Sequence, residues 1–143
     1  MFCLPWEREG RCLSDEQLLE AGKGILRSEA AEIQRAADRM DMELVRAARI
    51  IHSCRGRLVV AGMGKSGIIG RKIAATLAST GTPASFVHAA EASHGDLGMI
   101  TDNDVVLALS WSGETQELAA TIAYTRRFKV PLVAITSRAE SAL

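Results

Sequence analysis

The sequence predicts an α/β fold: a three-layer α/β/α sandwich whose doubly wound parallel sheet runs in the flavodoxin-like order 2-1-3-4, preceded by N-terminal helices. Three features carry that prediction. After residue 57 come four short apolar runs rich in β-branched residues, continuous rather than alternating, as expected of strands covered on both faces. The run ends near 61, 87, 109 and 136 recur at roughly 25 residues, the rhythm of right-handed βαβ units. The intervals carry helical periodicity, which places helices on both faces of the sheet.

The 143 residues suit one domain with one sizeable core. With 48% hydrophobic and 24% charged residues the body of the chain has the composition of a globular protein, not a disordered one. Seventeen Lys and Arg balance 17 Asp and Glu, which excludes a nucleic-acid binder working through bulk charge, since phosphate neutralisation needs clustered excess base. Cys3, Cys12 and Cys54 are too few and too irregular for a disulfide framework, and a reducing cytoplasm is the simple reading. The N-terminus lacks the basic and apolar regions of a signal peptide, and no stretch approaches 18 apolar residues, so neither export nor membrane spanning is expected.

Taken in order, residues 1–14 show no period and are expected to fray. Ser14 and Gln17 form a capping box for a long amphipathic helix with Leu18, Leu19, Ile25, Leu26, Ile33 and Met40 on its apolar positions. Leu19, Leu26, Ile33 and Met40 fall seven apart, a stripe that suits either packing on its own domain or a helix laid against a partner chain. A second helix carries Leu44, Val45, Ala48 and Ile51 on one face, completing a helical extension over 15–54. The α/β core then spans 57–143, with strands at 58–61, 84–87, 105–109 and 132–135. Helices are predicted over 66–79, with Ile69, Ile73 and Leu77 facing inward, and over 114–127, with Leu118, Ala119, Ile122 and Ala123. Ser137 and Glu140 read as a further capping box, so the 15–143 domain looks truncated, its fifth strand missing and one side of its sheet uncovered.

Two loops following strands hold the candidate chemistry. Residues 62–67, Gly-Met-Gly-Lys-Ser-Gly, join the first strand to a helix; glycines allow close backbone approach, and amides at the helix start, with Lys65 and Ser66, face a ligand anion. Residues 110–115, Ser-Trp-Ser-Gly-Glu-Thr, follow the third strand and set Ser110, Ser112 and Thr115 around Gly113 at a predicted helix start, neutral donors suited to a phosphate. In order 2-1-3-4, strands one and three are neighbours whose connections leave to opposite faces, and both loops line the crevice at that switch point. The match of residues 62–67 to G-x-G-x-x-G does not make a dinucleotide site, because the second strand ends in Val87-His88 with no acidic residue there. Walker A fails too, for Val59 stands where it needs a glycine. Between strands two and three, His88 and His94 lie near Glu91 and Asp96, candidates for proton transfer or metal contact. His52 suits a favourable charge at a helix end, and Trp111 is costly to leave exposed unless it stacks on a ligand, the N-terminal helices or another subunit.

Residues 62–67 followed by Gly70, Arg71 and Lys72, then Ser79-Thr80-Gly81-Thr82-Pro83, Phe86-Val87-His88, His94-Gly95-Asp96-Leu97-Gly98 and Ser110-x-Ser112-Gly113-Glu114, closely resemble as a set the sugar isomerase (SIS) domain of bacterial arabinose 5-phosphate isomerases. The resemblance covers about residues 16–143 and is far more specific than either glycine loop alone. It implies a homo-oligomeric cytoplasmic enzyme, a dimer or tetramer, that interconverts ribulose 5-phosphate and arabinose 5-phosphate and so feeds the Kdo sugar of lipopolysaccharide. It implies catalytic roles for Lys65, Glu117 and His94, and substrate contacts at Ser66, Gly81, Thr82, His88 and His94, with Ser110, Ser112, Gly113 and Thr115 holding the phosphate. His88 also matches a histidine associated with a non-essential zinc, and no cofactor is required. Partners other than the sugar phosphate and further copies of the chain, nucleic acid and membrane among them, are not expected. Trp111 stands where the family usually has asparagine; the family's later glutamate and histidine, with its tandem nucleotide-sensing (CBS) domains, have no counterpart by Leu143. A fragment with low turnover is the expectation. The alternative from another class is a non-catalytic phosphosugar-binding module or regulator on the same fold, against which stands the absence of a helix-turn-helix segment before residue 15.

Overall fold

Ser14 opens the first helix in the manner the sequence predicts. The structure, a computed structural model, describes residues 13–92 and 95–143. The Ser14 hydroxyl accepts from the Gln17 amide at 3.2 Å while the Gln17 side chain accepts from the Ser14 amide at 2.9 Å, so two of the donors left unpaired at a helix start are satisfied reciprocally. Helix α1 runs Asp15–Asp38 and buries none of its residues; Leu19, Leu26, Ile33 and Met40 are all exposed. The expected fraying over 1–14 falls, for residues 1–12, outside the described residues. The backbone divides into two compact units, one ending at Glu43 and the other Leu44–Leu143. Most of α2, Met42–His52, therefore belongs with the sheet, where the sequence reading grouped it with the first helix.

The second unit is the predicted sandwich. Strands β1 (Leu58–Gly62), β2 (Ala84–His88), β3 (Val105–Leu109) and β4 (Leu132–Ile135) form one parallel sheet in the order β2-β1-β3-β4. Gly62 sits opposite His88 on one side and Leu109 on the other, so the C-terminal ends of the three strands are level. Alternation along the strands serves two cores. Leu58, Val60, Val105 and Leu107 face α3 (Gly64–Ser79) and the Ile50 and Ile51 side chains of α2. Val59, Ala61, Val106 and Ala108 face the other way, toward Ala89 and Ala92 of the short helix α4 (Ala89–Ala92) and toward Ile122 and Tyr124 of α5 (Ala119–Phe128). Burial on both faces is why β1 and β3 read as unbroken apolar runs. It falls away along β4, where Ala134 and Ile135 are exposed.

Two sequence expectations are corrected. The helix predicted over 114–127 begins only at Ala119, after a single 3-10 turn, Gln116–Leu118. The hydroxyls of Ser110 and Ser112 take the amides of Gly113 and Glu114, and such local side-chain bonds compete with helix. Nor does the Ser137 capping box start a helix. Residues 137–143 instead fold back on the 110–115 loop, the Ala142 amide donating to Glu114 Oε1 at 3.1 Å and the Leu143 amide to the Gly113 carbonyl at 3.3 Å. Among the described residues no helix is long and apolar enough to cross a membrane.

Candidate functional site

The first loop is shaped by three glycines. At Gly64 φ is +55°, which turns the chain sharply from β1 into α3 at no Cβ penalty. Gly62 and Gly67 let strand end and helix start touch: a Cβ on Gly67 would lie 3.1 Å from the Gly62 carbonyl oxygen. Lys65 and Ser66, the second and third residues of α3, are thereby held at the C-terminal edge of the sheet, Lys65 exposed and Ser66 half-buried.

The second loop, 110–115, is held by its own hydroxyls. Ser110 is 3% exposed; its Oγ lies 2.5 Å from Thr115 Oγ1 and accepts from the Gly113 amide at 3.1 Å. Ser112 Oγ accepts from the Glu114 amide at 3.2 Å. Gly113 has φ +70°, and a Cβ there would collide with Ser141. These bonds leave donors to spare. Ser112 uses only its lone pairs, and of the two hydroxyl hydrogens of Ser110 and Thr115 one bridges the pair and the other is free. The loop thus presents hydroxyl donors from its own turn and not, as the sequence suggested, from the first turn of a long helix.

The loops face one another across a cavity of about 460 Å³ lined by Lys65, Ser66, Ser110 and Trp111, with Ile69 and Ile135 on its walls. Thr136 and Ser137, just past β4, also line it and were missed from sequence. The signal was the strand order, since β4 pairs with β3 and must end beside the loop that follows β3; the capping-box reading of Ser137 obscured it. A larger cavity, about 900 Å³, lies at the other end of the strands against Arg55, Arg57, Gly81, Asn103 and Asp104. Its buried carboxylate is already occupied: Asp104 accepts from the Arg57 amide at 2.8 Å and from the Thr101 amide and hydroxyl at 2.7 and 3.0 Å. Free donors at a topological switch point make the smaller cavity the candidate site.

The remaining candidates are distributed unevenly. His88 ends β2 beside Gly62, at the same end of the sheet, and its buried Nδ1 has no hydrogen-bond partner. Glu117 is exposed on the Gln116–Leu118 turn, whose Leu118 is sunk into the core with Ala61 and Ala108. Glu91 and Asp96 are exposed on α4 and on the Asp96–Met99 turn. His52 is the last residue of α2. His94 lies outside the described residues. Gly81 and Thr82 precede β2, at the end of the sheet opposite the crevice; the five residues of β2 put about 16 Å between the two ends. Among the described residues no group of three or more His, Cys, Asp or Glu is arranged to hold a metal.

Residues 50–143 match the SIS domain family. The chain is 52% identical over 128 residues to arabinose 5-phosphate isomerase GutQ of Escherichia coli strain K12, covering 90% of this chain and 40% of that protein. It is 49% identical over 124 residues to arabinose 5-phosphate isomerase KdsD of the same strain, covering 87% and 38%. The chain thus spans about 40% of the length of these curated relatives. Among solved structures it is similar to E. coli CFT073 c3406 in complex with A5P, at 40% identity and a TM-score of 0.86, covering 90% of this chain and 69% of that one.

Proposed function

Because this chain belongs to the SIS domain family, we propose that its crevice binds a sugar phosphate and interconverts ribulose 5-phosphate and arabinose 5-phosphate in the cytoplasm. The observation that carries the reading is that Lys65 and Ser66 of the 62–67 loop face Ser110 and Trp111 of the 110–115 loop across a 460 Å³ cavity, with Ser112, Gly113 and Thr115 behind that wall in the same loop. The relatives named for this reaction and the likeness to a structure holding A5P support it.

In this scheme Ser112 and the Ser110–Thr115 pair donate to the phosphate, which fixes the carbon chain and lets binding energy far from the reacting atoms position them. A base, Glu117 or His94, removes a proton from C1 of the ketose while the C2 oxygen gains one, giving an enediol. Return of a proton to C2 and loss of the O1 proton leave the aldehyde at C1. Lys65 stabilises the negative charge that develops on the oxygens in between. No cofactor is invoked in these steps. Gly81 and Thr82 are too far along β2 to reach the same crevice, so a substrate contact from them requires a second copy of the chain. That requirement, with the exposed stripe on α1, supports a homo-oligomer, a dimer or tetramer.

The phosphate assignment is tested with Ser112→Ala. Losing a hydrogen bond to a charged group is expected to weaken binding of arabinose 5-phosphate by about 1 to 3 kcal/mol. Unchanged affinity by calorimetry, or equal binding of unphosphorylated arabinose, contradicts the reading.

A further inference from the structure

Trp111 is 82% exposed, the most exposed of the large hydrophobic side chains among the described residues, yet its carbonyl is held by three donors. Its carbonyl accepts from the Ser137 amide at 3.0 Å, the Ser137 hydroxyl at 2.6 Å and the Thr136 hydroxyl at 3.3 Å. The indole therefore projects from a fixed base between Ser110 and Ser112. It lines the cavity together with Ile69 and Ile135, each 53% exposed, and with Lys65 and Ser66. No ring or guanidinium stacks on it among the described residues. A bare phosphate gains nothing from such walls, because a hydrated anion loses water against apolar surface without recompense. A phosphate ester held at the hydroxyl loop would instead lay its carbon chain against the indole and cover part of it.

We propose that Trp111 is a specificity-determining residue, packing the carbon chain of the sugar phosphate so that the crevice selects the ester over inorganic phosphate. This rests on the sugar-phosphate reading of the crevice and adds to it the residue that supplies the discrimination.

The chain has two tryptophans. In a Trp6→Phe background the remaining indole reports directly. Saturating arabinose 5-phosphate, with saturation set independently by calorimetry, is expected to quench and shift the Trp111 emission, whereas inorganic phosphate leaves its maximum in place. Trp111→Ala is expected to weaken arabinose 5-phosphate binding about 5- to 20-fold while inorganic phosphate stays within about twofold, and Trp111→Phe to restore most of the loss. With the side chain so exposed, the variants should melt within a few degrees of the unaltered chain. Bound sugar phosphate with unperturbed Trp111 emission, or equal loss for both ligands, overturns this inference and leaves the phosphosugar site standing. So does a Trp111→Ala variant whose only change is its oligomeric state, which would assign the indole to a subunit contact. Failure of the unaltered chain to bind arabinose 5-phosphate at all overturns both.

Discussion

Glu117→Gln is expected to slow exchange of the C1 proton of ribulose 5-phosphate in deuterated water by about 10²- to 10⁴-fold, with the binding of the sugar phosphate nearly unchanged. The substitution keeps size and hydrogen-bonding shape and removes only the ability to accept a proton. It is also structurally mild. Glu117 is exposed, and the turn that carries it is anchored by its neighbour Leu118, 1% exposed in the cluster with Ala61, Ala89 and Ala108. Exchange is the first half of the proposed reaction, so it reports on the base even where overall turnover is slow. A rate within threefold of the unaltered chain would remove Glu117 from the scheme and move the role to another base.

Asp104→Ala is expected to have the largest effect on stability, about 2 to 4 kcal/mol at pH 7, because it strands two amides and a hydroxyl that now share one buried carboxylate. Asp104 is 3% exposed at the start of β3 and ties the 101–104 turn to Arg57, the residue before β1. Burial pushes its carboxyl up, but the bonds from the Thr101 and Arg57 amides and the Thr101 hydroxyl, with the Arg57 charge, outweigh burial and hold it below the usual carboxylate range. A carboxyl whose folded value is depressed stabilises the fold above its unfolded value, about 3.9, and loses that contribution as pH falls through the folded value. The gap in urea midpoint between the unaltered chain and Asp104→Ala should therefore be constant from pH 8 to about pH 5 and shrink below about pH 4. A gap that persists undiminished to pH 2 contradicts this account of Asp104.

Much of the fold was legible because it depends on local chemistry and burial. Ser14 and Gln17 announce the first helix through a motif that is complete within four residues, and the structure makes both of its bonds. The central strands β1 and β3 were legible because burial on two faces leaves continuous apolar runs, and all four strands appear within a residue of the predicted spans. Errors arose where one motif supports two outcomes. Hydroxyls at 110, 112 and 115 read as donors standing at the start of a helix but close on their own loop, which delays α5 to Ala119. Ser137 read as a cap but gives its amide and hydroxyl to the Trp111 carbonyl, a contact 26 residues away that no local pattern encodes. The site was legible where glycines demanded it, at 62–67 and 113, and illegible at Thr136 and Ser137, whose place in the crevice follows from strand pairing alone.

The central claim is that sugar phosphate binds where β1 and β3 end, not at the larger cavity where the strands begin. Titration of the isotopically labelled chain with arabinose 5-phosphate, followed through backbone amide shifts, tests it most directly. Saturable shifts at Gly64, Ser66, Ser112, Gly113 and Ser137, with Gly56, Arg57 and Asn103 unmoved, are the expected result. Shifts concentrated at Gly56, Arg57 and Asn103, or none at all with ligand in large excess, would contradict it.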